Sequence, residues 1–310
     1  MPYAEDLLAV IAAPTSAAKA ALLADMRAPQ ETWVVPVPPG RPGRPAHYHE
    51  AEETRRRRRT LAHAPTRLRF LQSIHHIELS AVDLAVLACL RAPDMPAAFH
   101  TDFLGIARDE ARHAGLLEEL LATRGAAPGD APIHHRLWAT ALACDDLGDH
   151  LVAVPRFLEA RGLDVSAELL PRLVGLDPEA HTVLSVIYHD EIGHVGIGTR
   201  WHRAWCQAQG RDPESHFATV LARLFPGQVP GPTPLDHAGR LAAGFTASEV
   251  GLLEGFRGDR VAREEAPAAP AALVSGHQGQ RPAADHHIQP PPTIGQPPAV
   301  SRQPSASPGV

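Results

Sequence analysis

One short pattern, Asp-Glu-x-x-His, occurs twice in this chain of 310 residues, at positions 109–113 and again at 190–194. On a helix, a Glu and a His three residues apart lie on one face, about one turn from each other. A carboxylate oxygen and an imidazole nitrogen can then reach the same point, and together they suit iron, manganese or zinc. One copy arises easily by chance in a helical protein. Two copies, each inside a long apolar-periodic segment, predict a metal site shared by two helices.

A site for two metal ions in a helical bundle needs one further Glu from each of two other helices. The first and third predicted long helices each contain a single Glu in an apolar stretch, Glu78 and Glu159. Glu110 follows Glu78 by 32 residues and Glu191 follows Glu159 by 32, so the two helix pairs match in register as related halves would. The predicted metal ligands are Glu78, Glu110, His113, Glu159, Glu191 and His194.

The charges of this set agree with a two-metal site. Two divalent ions carry four positive charges, which four glutamates neutralise in an interior where a lone charge would be very costly. The alternative is that the glutamates form buried salt bridges with Arg112, Arg156 and Arg161.

The aspartates of the repeated pattern have a predicted role next to the metal ligands. A metal-bound His usually donates its second ring N–H to a carboxylate, which fixes its tautomer. We therefore expect Asp109 to contact His194 across the bundle, and Asp190 to contact His113.

Two residues one turn before the glutamates are candidates for a catalytic role, although the catalytic residues themselves stay unknown. His75 is a possible extra ligand or proton donor, and Tyr188 a possible radical or hydrogen-bonding residue. The alternative for each is an ordinary core residue, a hydrogen-bonded histidine and a packed aromatic.

Three other positions near the predicted site suggest an ion pair and room for a substrate pocket. Arg156 is expected to pair with a nearby carboxylate, Glu159 or Asp149. Ala81 and Gly162 lie one turn after Glu78 and Glu159, and their small size leaves room for a pocket.

The periodicity of apolar residues predicts an all-α fold, an antiparallel four-helix bundle with extra helices at both ends. The long helices are expected at about 66–92, 94–124, 133–161 and 177–209, with Asp94 and Asp177 as N-caps and a kink or open ladder at Pro155. Shorter helices are expected at 4–27, in two pieces broken at Pro14, and near 214–224, 235–243 and 247–257. The predicted divisions are 1–60 (helices and a Pro-rich wrap), 61–212 (the bundle), 213–262 (helices packed on it) and 263–310 (a disordered Pro/Ala-rich tail).

Composition and charge limit the classes of function. Net charge is −6, which gives no overall attraction to nucleic acid or to an acidic membrane. The run Arg55–Arg59 is either an anion or nucleic-acid contact or a solvated helix face. Three scattered cysteines, no basic-then-apolar N-terminus and no long uninterrupted apolar stretch predict a soluble, cytoplasmic protein without a membrane span.

At the six ligand positions the chain resembles the ferritin-like superfamily of di-iron carboxylate proteins, including its oxygen-activating branch of bacterial multicomponent monooxygenases. Five segments are more closely similar to the DUF455 family, whose function is unknown; these are residues 76–79, 109–113, 154–164, 190–195 and 242–245. A more distant likeness is to the tRNA hydroxylases of the same superfamily. The resemblance covers about residues 40–260 and implies a ferritin-like bundle, with the preceding Asp as partner of the opposite His.

The resulting functional expectation is a di-metal protein that acts with dioxygen as an oxidoreductase or hydroxylase on an unknown substrate. Two iron ions are the expected cofactor, with a manganese–iron or another divalent pair also compatible with the ligands. An electron donor is a possible partner. The alternatives are a non-catalytic ferritin-like iron-binding protein and a tRNA-hydroxylase-like RNA-modifying enzyme.

Overall fold

The computed structural model describes residues 2–50, 61–226 and 233–265. Within these ranges the chain is all-helical and contains no strand; a single isolated bridge pairs Glu50 with Ile133. The predicted all-α class is therefore confirmed. The run Arg55–Arg59 and residues 266–310 of the predicted tail lie outside the described residues.

Three of the four predicted long helices are present close to their expected limits: α3 (Ala64–Leu90), α4 (Ala97–Ala122) and α8 (Pro178–Ala208). The Asp177 carboxylate accepts a hydrogen bond from the Ala180 N–H, which confirms the predicted cap of α8. The prediction that Asp94 caps α4 is wrong, because Pro96 occupies the N-cap position and no side chain bonds there.

The third predicted helix differs most from the expectation. It is divided into α5 (Arg136–Leu142), α6 (Leu147–Ala153), a π-helical segment (Val154–Glu159) and α7 (Ala160–Leu173). Asp146 caps α6, which explains the break before it. Pro155 lacks an N–H donor, and the α-helical ladder opens locally into the wider π form, as predicted. The helix was expected to end before Gly162, but it continues through this residue to Leu173. A glycine inside a helix lowers its stability by only about 1 kcal/mol relative to alanine, so it need not end the helix.

The connection from α4 to α6 runs from one end of the helical assembly to the other. Arg67 at the start of α3 and Arg124 just after α4 both bind Asp177 at the start of α8, so these three helix ends lie together. The start of α6 lies at the opposite end, because Gly148 abuts Trp205 near the end of α8. Consequently α7 runs antiparallel to α3.

Two N-terminal helices, α1 (Pro2–Ala12) and α2 (Ser16–Leu23), cover α3 and α4. They confirm the predicted two pieces around Pro14. Lys19 on α2 is fully buried and binds Asp83 of α3 at 2.6 Å, and Arg44 from the following extended segment binds the same carboxylate at 2.8 Å.

The C-terminal helices α9 (Pro213–Leu224), α10 (His237–Ala242) and α11 (Ala247–Glu265) pack on the α6–α8 side. Buried ion pairs fix them: Arg240 binds Asp164 at 2.7 Å, and Glu249 binds Arg156 at 2.5 Å. Helix α11 includes residues 263–265, which we had assigned to the tail.

Among the described helices, α3 is the one that is long and apolar enough to cross a bilayer, and 83% of its apolar window is buried inside the protein. This burial is typical of the core helix of a soluble protein.

Candidate metal centre

The two Asp-Glu-x-x-His patterns and the two separate glutamates come together in the interior. Nδ1 of His113 lies 3.2 Å from Oε2 of Glu78 and 3.6 Å from Oε2 of Glu110. Nδ1 of His194 lies 2.9 Å from Oε1 of Glu110 and 3.7 Å from Oε1 of Glu191. Glu110 therefore stands between the two histidines, and all five side chains are buried.

Glu159, the sixth predicted ligand, reaches the same cluster from the end of the π-helical segment. Its pKa is raised well above its usual value, first by burial and then by the negative charges of Glu191 and Glu110. The structure brings Glu78, Glu110, His113 and Glu191 together with one polar atom of each within 4.8 Å of the others, and His194 contacts Glu110. Their role as metal ligands, and that of Glu159, stays a prediction.

Several polar atoms of the cluster have no hydrogen-bond partner among the described residues. These buried atoms are both carboxylate oxygens of Glu110, Oε2 of Glu159, Oε2 of Glu191 and Nδ1 of His194. Nδ1 of His194 and Oε1 of Glu110 are close, yet they are not oriented as donor and acceptor. Unpaired buried acceptors are rare and cost about 1–3 kcal/mol each. A bound cation needs several such lone pairs directed at one point, and these oxygen and nitrogen atoms could provide them.

Without cations, the electrostatics of the cluster are unfavourable. Burial and the neighbouring Glu110 raise the pKa of Glu78 to about 8. Burial alone would lower the pKa of His113, but Glu110 and Glu78 outweigh it and raise that pKa to about 10. Without a metal ion, protons on Glu78 and His113 therefore offset the negative charge of the carboxylates. These protons would be released on metal binding.

Each histidine is also held by the aspartate of the opposite pattern. Nε2 of His113 lies 3.1 Å from Oδ2 of Asp190, and Nε2 of His194 lies 3.4 Å from Oδ2 of Asp109. The Nη2 of Arg112 bridges the two aspartates, 2.7 Å from Asp190 and 3.2 Å from Asp109. This leaves each Nδ1 free to face the cluster. The sequence suggests Arg112 only as a partner for the glutamates, but its position inside the first Asp-Glu-x-x-His pattern places it beside the aspartates.

Residues 6–251 match the family described as "Protein of unknown function (DUF455)". The chain belongs to the DUF455 family. A relative from Haemophilus influenzae, named only as an uncharacterized protein, is 35% identical over 193 residues, which are 58% of this chain and 65% of the relative. The chain thus spans less than two thirds of that relative's length. No solved structure matches the chain.

The two candidate catalytic residues of this DUF455 chain have partners outside the cluster. Nε2 of His75 lies 2.9 Å from Oε1 of Glu118, which also accepts a hydrogen bond from Ser16. The Tyr188 hydroxyl donates to Asp236 at 2.6 Å. Both side chains therefore connect the cluster's helices to the added terminal segments, and these partners lie outside the six-residue cluster.

The expected pairing of Arg156 with Glu159 or Asp149 is wrong. Arg156 is fully buried, donates to Oε1 of Glu249 at 2.5 Å and donates to Nδ1 of His202 at 2.8 Å. The partner Glu249 lies 93 residues away in sequence, so local spacing could not reveal it.

A second group of candidate metal ligands, His202, Cys206 and His216, lies at the contact of α8 with α9. Arg156 can only donate, so Nδ1 of His202 must accept and the ring proton lies on Nε2. That Nε2–H faces Nδ1 of His216 at 3.0 Å. The nitrogen that points at the group therefore has no free lone pair, and the arrangement is a hydrogen-bond chain rather than a metal site.

Proposed function

We propose that this chain is a ferritin-like di-metal carboxylate protein, with two iron ions, that catalyses an oxygen-dependent oxidation or hydroxylation. The observation that carries the proposal is the set of buried, unpartnered acceptors on Glu110, Glu159, Glu191 and His194. A fold that keeps four carboxylates in an apolar interior without cations would lose several kcal/mol.

The course of the helices supports the ferritin-like assignment. Helices α3 and α4 form one antiparallel pair and α7 and α8 another, and the segment between the pairs crosses the full length of the assembly. One long crossover of this kind distinguishes ferritin-like bundles from simple up-and-down bundles. Each pair contributes one separate Glu and one Glu-x-x-His.

The donor set fits two divalent ions. Glu78, Glu110 and His113 would hold one ion, and Glu159, Glu191 and His194 the other, with Glu110 between the two histidines. Four carboxylates and two imidazoles suit iron or manganese. Two ferrous ions bound there would supply the electrons for the reduction of dioxygen.

The protein's own groups have definable tasks around such a pair. Asp190 and Asp109 accept the Nε2 protons of the histidines, so that Nδ1 of each, once its own proton is released, would face a bound cation. The buried walls exclude bulk water, with Glu110 and His113 fully inaccessible.

An oxidoreductase is favoured over an iron-storage cage by the additions outside the four long helices. Helices α1 and α2 cover α3 and α4, and α9 to α11 cover the α6–α8 side. These additions occupy surfaces that a closed shell of bundles would use for packing. Size-exclusion chromatography checks this point, since a shell of 24 or 12 subunits would favour storage.

The decisive experiment measures metal content and the absorption spectrum of aerobically purified protein, followed by addition of Fe(II) and dioxygen. We expect two ions per chain and an oxygen-dependent spectral change. Glu110→Ala and His194→Ala should lose both. The matched control is Glu119→Ala, an exposed glutamate on the same helix as Glu110. Retention of two ions by either ligand variant would refute the ligand assignment.

A further inference from the structure

Helix α9 is joined to the rest of the protein by a chain of hydrogen bonds with a fixed direction. Nη1 of Arg156 donates to Nδ1 of His202 at 2.8 Å, and Nε2 of His202 lies 3.0 Å from Nδ1 of His216 on α9. A guanidinium keeps its protons and has no acceptor, so Arg156 holds the ring proton of His202 on Nε2. His216 therefore has to accept the hydrogen bond from His202.

This acceptor role requires a neutral His216. Its Nδ1 supplies the lone pair, so its single ring proton lies on Nε2. A second proton would occupy Nδ1 and point at the N–H of His202 across 3.0 Å. His202 cannot turn its proton away, because its other nitrogen faces the donor of Arg156. Protonation of His216 would thus replace a hydrogen bond by a contact between two donors.

Cys206 offers the N–H of His202 little compensation for that loss. Its Sγ lies 3.4 Å from Nε2 of His202, and a thiol sulfur is a weak acceptor. The Cys206 thiol is itself protonated at neutral pH, since burial raises its pKa to about 11. The contact between His202 and His216 therefore carries the hydrogen bond that fastens α9 at this point.

Charged groups of both signs surround the two histidines. They are Asp146 and Asp149 at the start of α6, Arg156 of the π-helical segment with its partner Glu249 of α11, Arg203 of α8, Arg211 in the following loop and Arg223 of α9. Nε2 of His216 is 3.9 Å from Oδ1 of Asp149, beyond hydrogen-bond distance, and Arg223 already binds that carboxylate. Burial, with the arginines, outweighs the two aspartates and lowers the pKa of His216.

Helix α9 covers the segment of the chain that presents Glu159. The ring of Phe217, the residue after His216, is fully buried, and its centroid lies 4.4 Å from Cζ of Arg156. Arg156 belongs to the π-helical segment and precedes Glu159 by three residues. The position of α9 is therefore coupled to that segment through Arg156.

We propose that His216 is a proton-sensitive latch that fastens α9 over the π-helical segment at neutral pH and releases it in mild acid. With α9 open, His216 would have the ordinary pKa of about 6.5, above its value in the closed protein. Closure is therefore fully favoured above about pH 6.5 and weakens as pH falls from there towards the lower pKa. The latch residues His202 and His216 lie outside the six-residue cluster, so this inference does not depend on the proposed function.

The test measures amide hydrogen exchange of α9 in the full chain at pH 7.5 and pH 5.5, with a chelator present and the intrinsic effect of pH on exchange removed. His216→Asn is the decisive variant, because its amide oxygen takes the place of Nδ1 as acceptor and does not titrate. His216→Gln is a second acceptor of this kind. His189→Asn, at an exposed histidine of α8, is the matched control, and circular dichroism checks the fold of each variant.

We expect the protection of α9 amides in the unaltered chain and in His189→Asn to fall about threefold to tenfold between the two pH values. In His216→Asn and His216→Gln the fall should be less than about twofold, because no proton can reach the acceptor position. Unchanged protection of α9 in the unaltered chain would overturn the latch. An equal fall in the unaltered chain and in both His216 variants would overturn it as well.

Discussion

His113 is held by the other half of the protein: its Nε2 lies 3.1 Å from Oδ2 of Asp190, which is 77 residues away in sequence. The reciprocal contact joins His194 to Asp109 at 3.4 Å. The two patterns are therefore interlocked, since each supplies a histidine and also the carboxylate that orients the histidine of its counterpart. Loss of one aspartate should affect a metal held by the opposite pattern.

We predict that Asp190→Asn lowers metal affinity by about 10–100-fold while leaving the helical fold intact, because His113 loses the charge that fixes its tautomer. Competition with a chromophoric chelator measures the affinity, and circular dichroism the fold. Asp94→Asn, at an exposed aspartate outside both patterns, is the control. Unchanged affinity in Asp190→Asn would show that the contact has no influence on metal binding.

A second prediction concerns the stability of the metal-free protein. Glu110 is fully buried and neither of its oxygens has a hydrogen-bond partner among the described residues, so we expect Glu110→Met to raise the free energy of unfolding by about 1–3 kcal/mol when a chelator is present. The same variant should lose the stabilisation that added metal gives the unaltered chain. Urea unfolding with and without metal measures both effects. A less stable Glu110→Met in the presence of chelator would contradict this view of the cluster.

The clustering of the proposed ligand residues could be predicted from sequence because it depends on the helical period, which is local. Glu and His three apart share a face in any helix, and the equal spacing of Glu78–Glu110 and Glu159–Glu191 indicated two related halves. The contacts of Asp109 and Asp190 followed from the need of each ligand histidine for a carboxylate partner.

Other features depend on contacts between distant segments, and local patterns did not reveal them. Arg156 binds Glu249 and Tyr188 binds Asp236, and both partners lie in the C-terminal helices that we expected only to pack on the bundle. The third helix was predicted as continuous, but residues 143–146 (Ala-Cys-Asp-Asp) interrupt it. Asp146 caps the restarted helix α6. Aspartate is common at many other positions, and its side chain caps a helix only where the backbone before it turns, which the local sequence does not specify.

A third prediction concerns the π-helical segment that presents Glu159. Gly198 on α8 lies against the ring of Pro155, and a Cβ added at Gly198 would overlap that ring. Gly198→Ala should therefore lower the free energy of unfolding by about 1–3 kcal/mol, as expected for overpacking. In the Pro155→Gly background, Gly198→Ala should cost much less, since Cβ and Cγ of Pro155, the two overlapping atoms, are both removed. Denaturant unfolding of both single variants and the double variant measures the coupling. Additive losses would show that the two residues are not in contact.

The last prediction is a loss of stability in mild acid caused by buried neutral histidines distant from the metal ligands. Burial lowers the pKa of His100 to about 4 and that of His150 to about 3. Both folded values lie below the ordinary value of about 6.5, so the unfolded chain binds the proton first as pH falls. The stabilising contribution is complete above about pH 6.5 and is lost as pH falls from there through the folded pKa, with a loss of about 2 kcal/mol per histidine at pH 5. Urea unfolding of metal-free protein at pH 7.5 and pH 5 measures the change, which should be smaller in His100→Gln than in the exposed control His189→Gln. Equal changes in the two variants would mean that His100 does not titrate in this way.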